Sequence, residues 1–271
     1  MWAHRALRLR SKEHNAETGQ NSKPLKVSHK ILIALQFWQG DRWQAEALGR
    51  FLADLELTHS DLADVLLVNR HDCQPVSRDV AQAISRKFNL FQYTAPRGNT
   101  GWPAGCNSLW INTVRWAQSM MEANRVPSYK AIFTCETDGA PVFRDWVARL
   151  SQAWDTANQA TPVCVAGPIV QIPSEHMNGN LLVNGNTEIF KWVIRLASNV
   201  PSTGGWDFLL SKDFKKRGWA NIPGIVSYYN TRGYTVEKYA KLQSDNLIWV
   251  HGVKDNSLIE LGRRFLINER L

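Results

Sequence analysis

Glu136 and Asp138 are the residues whose type and spacing most readily do chemistry. They close the stretch Ala131-Ile132-Phe133-Thr134-Cys135-Glu136-Thr137-Asp138-Gly139, in which apolar and β-favouring residues run into two carboxylates and a glycine. Such a run reads as a buried strand ending in an acidic loop. Side chains alternate along a strand, so carboxylates at i and i+2 point the same way if the extended geometry persists. Two hard oxygen ligands on one side can hold Mg²⁺ or Mn²⁺ against a diphosphate. A polar turn after a core strand is the plainer reading of the same residues, and their surroundings must decide.

A second candidate lies upstream, in Pro96-Arg97-Gly98-Asn99-Thr100-Gly101-Trp102-Pro103-Ala104-Gly105-Cys106-Asn107. Glycines let the backbone approach a ligand, and the long helix that follows offers an N-terminus attractive to phosphate. The spacing is neither that of a P-loop nor that of a dinucleotide fingerprint. A structural turn explains the glycines equally well. Ligands gather at the carboxyl ends of parallel strands, so Gln36 and Trp38 after the first strand join Arg97, Gly101, Trp102 and Asn107 as binding candidates.

The elements that must hold these residues alternate in type. Lys30 to Leu35 is a near-continuous apolar strand, and from Asp41, a plausible N-cap, to about Leu57 the positions Ala45, Leu48, Phe51, Leu52 and Leu55 recur at helical spacing. Asp64–Asn69 reads as a strand, Ser77–Phe88 as a helix, and Asn89–Thr94 as a third strand. This order argues for crossovers onto a parallel sheet. After the acidic loop, Pro141 is placed in the first turn of a helix reaching Trp154, and Pro162–Val170 is a buried strand. Residues 171–233 are rich in Asn and Gly, which predicts a mixed sheet and irregular loops. Leu247–Val250 is a short strand, and a helix over about Ser257–Leu266 follows.

Bulk composition narrows the class. With 271 residues, 44% hydrophobic and 21% charged, the chain can bury a sizeable core. Twelve tryptophans predict a core rich in indole, with a few left as stacking platforms for a sugar or a base. Net charge is +8, of which residues 1–30 contribute five, with seven Lys or Arg against two Glu. Residues 1–29 therefore read as a basic flexible arm suited to phosphates. Cys73, Cys106, Cys135 and Cys164 show no metal-ligand spacing and suit buried thiols in a reducing cytosol. No apolar run approaches a membrane span, and the N-terminus lacks the apolar core of a secretory signal, so a cytoplasmic protein is expected.

Taken together, residues 30 to 255 resemble the nucleotide-sugar glycosyltransferases of the GT-A fold. Glu136-Thr137-Asp138 stands where that family carries its D-x-D metal motif, departing from it by having Glu first. His176-Met177-Asn178-Gly179-Asn180 looks like an H-x-N-G-N stretch, Gly205-Trp206-Asp207 like a W-D segment, and His251-Gly252-Val253-Lys254 like a late His-Gly-x-Lys element. The resemblance implies an α/β, Rossmann-like, mixed but mainly parallel central sheet flanked by helices. Residues 30–271 then form one domain, with a nucleotide-sugar half at 30–160 and an acceptor half at 161–271. It further implies Mn²⁺ or Mg²⁺ on Glu136, Asp138 and His251. A nucleotide-sugar donor, a UDP-sugar above all, is implied to meet Gln36, Trp38, Arg97, Gly101, Trp102, Asn107, Thr137, Asn178, Asn180 and Lys254. Asp207 and His176 are the implied catalytic residues, Asp207 as base for the acceptor hydroxyl.

The acceptor is read from charge and aromatic content. A basic arm and tryptophans near the site loops fit a large anion, double-stranded DNA, and narrow the resemblance to phage enzymes that glycosylate hydroxymethylated pyrimidines in the host cytoplasm. A transferase of surface glycan or polysaccharide synthesis is the enzyme alternative. A nucleic-acid-binding module on a degenerate transferase scaffold is the non-enzymatic one. Single residues have plainer roles too: Asp207 as a helix cap, and His176, Asn178 and Asn180 as turn formers.

Overall fold

The computed structural model describes residues 28–159, 161–171, 174–201 and 203–267. The arm expected over 1–29 lies outside them except for Ser28 and His29.

The first half follows the expected alternation. β1 (Ile31–Phe37), α1 (Arg42–Leu55), β2 (Ala63–Asn69), α2 (Arg78–Ser85), β3 (Leu90–Thr94) and α3 (Ala104–Glu122) lead to β4 (Ala131–Glu136). β2 is buried along its whole length and β1 nearly so, which is why both are continuously apolar instead of alternating. β3 mixes half-buried and exposed positions because it forms the sheet edge. β4 inserts beside β1 in parallel register, Ile31 opposite Ala131 and Gln36 opposite Glu136. Asp41 is the N-cap residue of α1, but its side chain makes no cap bond: the carboxylate turns back and accepts from the Trp38 N–H at 2.7 Å.

Beyond β4 two boundaries differ from expectation. Gly139–Pro141 is a short strand, β5, and the next helix, α4, begins only at Trp146 and runs to Gln159. Pairing decides this, because β5 lies antiparallel to a strand more than a hundred residues later, with Pro141 opposite Trp249 and Gly139 opposite His251. The run read as one strand is divided at Pro168 into β6 (Val165–Gly167) and β7 (Ile169–Val170). Proline has no N–H to give a ladder, so pairing breaks there.

The remaining chain is mixed, as its texture suggests. β8 (His176–Met177) pairs with β7, and β9 (Leu181–Asn184) runs between β4 and β6, antiparallel to both. α5 (Thr187–Ala197), α6 (Trp206–Arg217), β10 (Trp219–Asn221), β11 (Ile225–Thr231), α7 (Val236–Ser244), β12 (Trp249–Val253) and α8 (Ser257–Gly262) follow, with a π turn at Arg263–Ile267. The central sheet has the order β10-β6-β9-β4-β1-β2-β3, and a smaller one the order β11-β12-β5. β12 extends past Val250, so His251 lies within a strand.

Each face of the central sheet carries its own core. Ile31, Ile33 and Leu35 point to a layer containing Leu48, Phe51, Ile84 and Trp154. Leu32 and Ala34 point to the opposite layer, with Trp110, Val114, Phe190 and Phe214 from α3, α5 and α6. Each fully buried side chain of this kind contributes roughly 1.5–3 kcal/mol. The two layers clamp β1 and β4 and hold their carboxyl ends side by side. Among the described residues no helix is long and apolar enough to cross a membrane.

Candidate active site

Glu136 is the last residue of β4, and a turn at Thr137-Asp138 separates it from β5. The extended geometry therefore stops at Glu136, and the turn, with β12 behind it, brings the two carboxylates together. The Asp138 carbonyl accepts from the N–H groups of Gly252 (3.1 Å) and Val253 (2.9 Å), strapping the turn to β12. This places His251 between the acids. Its Nε2 lies 3.0 Å from Glu136 Oε2 and 3.0 Å from Asp138 Oδ1, and its Nδ1 lies 2.9 Å from Ser227 Oγ on β11.

One ligand atom from each of Glu136, Asp138 and His251 falls within 4.8 Å of the others. Asp138 is buried, and Lys254 Nζ donates to its Oδ2. The Nε2 proton of His251 is aligned with Glu136, so Asp138 Oδ1, 3.0 Å from the same nitrogen, meets it as an ion-pair partner without a well-aligned hydrogen bond. A buried carboxylate oxygen needs a better-placed partner than a misaligned ring nitrogen, and a cation can supply it. Two carboxylates and an imidazole form a donor set that suits Mn²⁺ or Mg²⁺.

Electrostatics agree with that reading. Burial alone would depress the His251 imidazole, but Asp138 and Glu136 outweigh it and push it up to about 10. Burial would raise Asp138, but His251 and Lys254 outweigh it and hold it down to about 2. Positive charge thus already occupies the place between the acids, carried by protons in the absence of metal.

Asp207, the second residue of α6, lies near Glu136. A Cβ placed on Gly179 would lie 3.7 Å from Glu136 Oε1 and 3.8 Å from Asp207 Oδ2, so both carboxylates border the space over this glycine, beside the Trp206 ring. Burial raises the Asp207 carboxyl above its ordinary range, and the charge on Glu136 adds to the effect. Its Oδ1 accepts from the Phe208 N–H at 2.9 Å, a cap-like bond that leaves Oδ2 toward the site. His176 stands beside it, edge-on to Phe208 at 5.5 Å. A carbonyl can only accept, so the 2.8 Å contact from His176 Nδ1 to Ser174 O places a proton on Nδ1.

The other sequence candidates divide. Thr137 is buried beside Asp41, and Gln36, next to last in β1, lies opposite Glu136 with its Nε2 buried and, among the described residues, unbonded. Trp38 is half exposed with the Arg70 guanidinium 5.1 Å over its ring, while Arg97, Gly101 and Trp102 lie on the open β3–α3 loop, Trp102 81% exposed. Asn180 is wholly buried, and its Oδ1 accepts from the Glu136 N–H at 3.2 Å. Asn178 Oδ1 in turn accepts from Asn180, so the pair orders the acidic turn from behind. Asn107 is buried with its amide committed to the backbone of 201–206.

Three residues near the site carried no sequence signal of their own. Asp41 reads as a helix cap, yet burial pushes its carboxyl up to about 6, and Glu136 and Asp138 add to the rise. Ser227 and Arg70 lie in segments without a motif, and only the fold brings them to His251 and Trp38.

No known protein family matches the sequence, and no curated protein is similar to it in sequence. Solved structures are similar in fold. The apo form of WbbM, a bifunctional glycosyltransferase, matches with a TM-score of 0.50 at 10% identity over 84% of this chain and 46% of that one. A glycosyltransferase involved in the glycosylation of the major capsid of PBCV-1 matches with a TM-score of 0.50 at 12% identity over 87% of this chain and 99% of that one. The fold is that of the GT-A glycosyltransferases. This chain thus spans less than half of WbbM and nearly the whole of the capsid-glycosylating protein. Within the GT-A fold of this chain, the acidic turn lies at the carboxyl end of β4, next to the central strand β1.

Proposed function

We propose that the chain is a metal-dependent glycosyltransferase that moves a sugar from a nucleoside diphosphate sugar, a UDP-sugar first of all, to a hydroxyl acceptor. The observation that carries this is the convergence of Glu136, Asp138 and His251, with one ligand atom of each within 4.8 Å of the others, in a GT-A fold. Those three residues would hold Mn²⁺ or Mg²⁺, which when bound supplies Lewis-acid neutralisation of the departing diphosphate. Lys254 adds a point positive charge beside Asp138, in reach of the same phosphates. Trp38, Trp102 and Arg70 offer two aromatic faces and a guanidinium for the base and the phosphates. Asp207, made more basic by burial, takes the proton of the acceptor hydroxyl, and His176 stands beside it.

For the acceptor, the basic composition of residues 1–30 supports the hydroxymethyl group of a modified pyrimidine in phage DNA. A glycan acceptor is the second reading, favoured by exposed Phe208, Tyr228 and Tyr229, whose rings can stack on sugar faces.

The test is nucleoside diphosphate release from a panel of nucleotide-sugars with Mn²⁺, repeated with EDTA and with Asp138→Ala. Hydroxymethylated duplex DNA and free oligosaccharides serve as separate acceptor arms. Metal-dependent turnover lost in the variant supports the reading. A protein that binds DNA and turns over no donor is a binding module and contradicts it. Sugar transfer to oligosaccharide alone retains the transferase and removes the DNA acceptor.

A further inference from the structure

We propose that Asn107 is a positioning residue for Asp207, an inference that rests on the role given to Asp207 above. Asn107 lies in the first turn of α3 and is 4% exposed, yet it carries a polar side chain with three hydrogen-bonding valences filled. Nδ2 donates to Pro201 O at 3.3 Å and to Gly204 O at 2.9 Å, and Oδ1 accepts from the Trp206 N–H at 2.8 Å.

That last bond is a helix cap supplied by another helix. The first N–H groups of a helix have no partner within it, and an Asn side chain at the N-cap position normally satisfies one. Here the N-cap position of α6 is Gly205, which has no side chain to offer. Asn107, 99 residues earlier, takes over that duty for Trp206. The same junction is closed by the Trp110 and Trp206 indoles, stacked at 3.6 Å and 9°.

Both restraints act on the residue just before Asp207. With Trp206 held by its amide and its ring, the Asp207 Cα has little freedom, and Ser211 Oγ fixes the following turn by donating to Asp207 O at 2.5 Å. The carboxylate is then aimed across Gly179 toward Glu136. Asn107 also directly follows the glycine-rich loop, so the element that ends that loop aims the proposed base.

A double-mutant cycle tests this, using wild type, N107A, D207N and the double variant. The probe is Mn²⁺-dependent hydrolysis of UDP-glucose, UDP-galactose or UDP-N-acetylglucosamine, whichever wild type turns over fastest, with water in place of the acceptor. N107A is expected to lower kcat about 10- to 100-fold, the cost of a small misplacement at a reacting group. Donor KM and Mn²⁺ affinity stay within about threefold of wild type, a margin small beside that loss. In the D207N background N107A has no further effect, because residues acting as one unit are not additive. If N107A fails to fold, N107L takes its place in the same cycle, since it keeps the volume of the side chain and removes the acceptor for the Trp206 N–H. Multiplying losses, or a raised KM with kcat intact, would overturn the assignment while leaving the functional reading standing. A wild-type protein that hydrolyses none of the three donors overturns both.

Discussion

The His251 imidazole and the Glu136 carboxylate, 115 residues apart in sequence, meet at 3.0 Å between Nε2 and Oε2. Asp138 shares the same nitrogen at the same distance, so one ring from the late strand β12 closes a site begun by β4. A divalent cation would replace the proton now between them.

Removing Asp138 tests the buried ligand. Asp138→Asn is expected to lower Mn²⁺-dependent donor turnover by at least about 100-fold, beyond the range usual for outer-shell losses. Steady-state rates with and without added Mn²⁺ measure it. A variant restored to wild-type rate by excess metal would limit Asp138 to a supporting role.

Metal affinity should rise with pH. His251, pushed up to about 10, is protonated at neutral pH, whereas a metal ligand must be neutral. Asp138, held down to about 2, is already ionised and contributes no pH dependence there. One proton must leave His251 for each ion bound, so the apparent association constant should grow about tenfold per pH unit from pH 6 to 8. Calorimetry in buffers of different ionisation enthalpy counts that proton, and a count of zero contradicts the prediction.

Ser227→Ala removes the partner of His251 Nδ1. Loss of such an outer-shell bond usually costs 10- to 100-fold in metal affinity, about the range expected here. The fold should persist, because Ser227 sits near the start of a seven-residue strand, away from the main cores. Isothermal titration with Mn²⁺ reads the affinity, and circular dichroism reads the fold.

Gly252→Ala should destabilise the protein. Gly252 has φ +93°, and a Cβ there would fall 1.7 Å from Tyr228 O. Strain of this kind costs about 1–3 kcal/mol before any clash is counted. For a chain of this size that is a fall in melting temperature of roughly 2–12 °C. Thermal unfolding checks it, and an unchanged midpoint would show that β11 and β12 separate freely at this point.

What was legible in the sequence follows from where the constraint lies. β1, β2 and β4 are central strands, so their apolar runs announce them, and the acidic end of β4 could be read with them. β5 could not: Gly139-Ala140-Pro141 is a strand only because β12 pairs with it. Asp41 precedes a helix and reads as a cap, while the fold spends its carboxylate on Trp38 and sets it near two other acids. Asn107 sits in a glycine-rich loop that suggests ligand contact, and only the tertiary fold shows its amide committed to the start of α6. Local patterns announce buried strands, whereas side-chain partners a hundred residues away leave no local trace.

Titration of the purified protein with Mn²⁺, followed by electron paramagnetic resonance, tests the central claim most directly. One bound ion per chain is expected in the wild type, with binding lost in His251→Ala and sharply weakened in Glu136→Gln. Binding of equal strength in wild type and His251→Ala would place the ion elsewhere and contradict it.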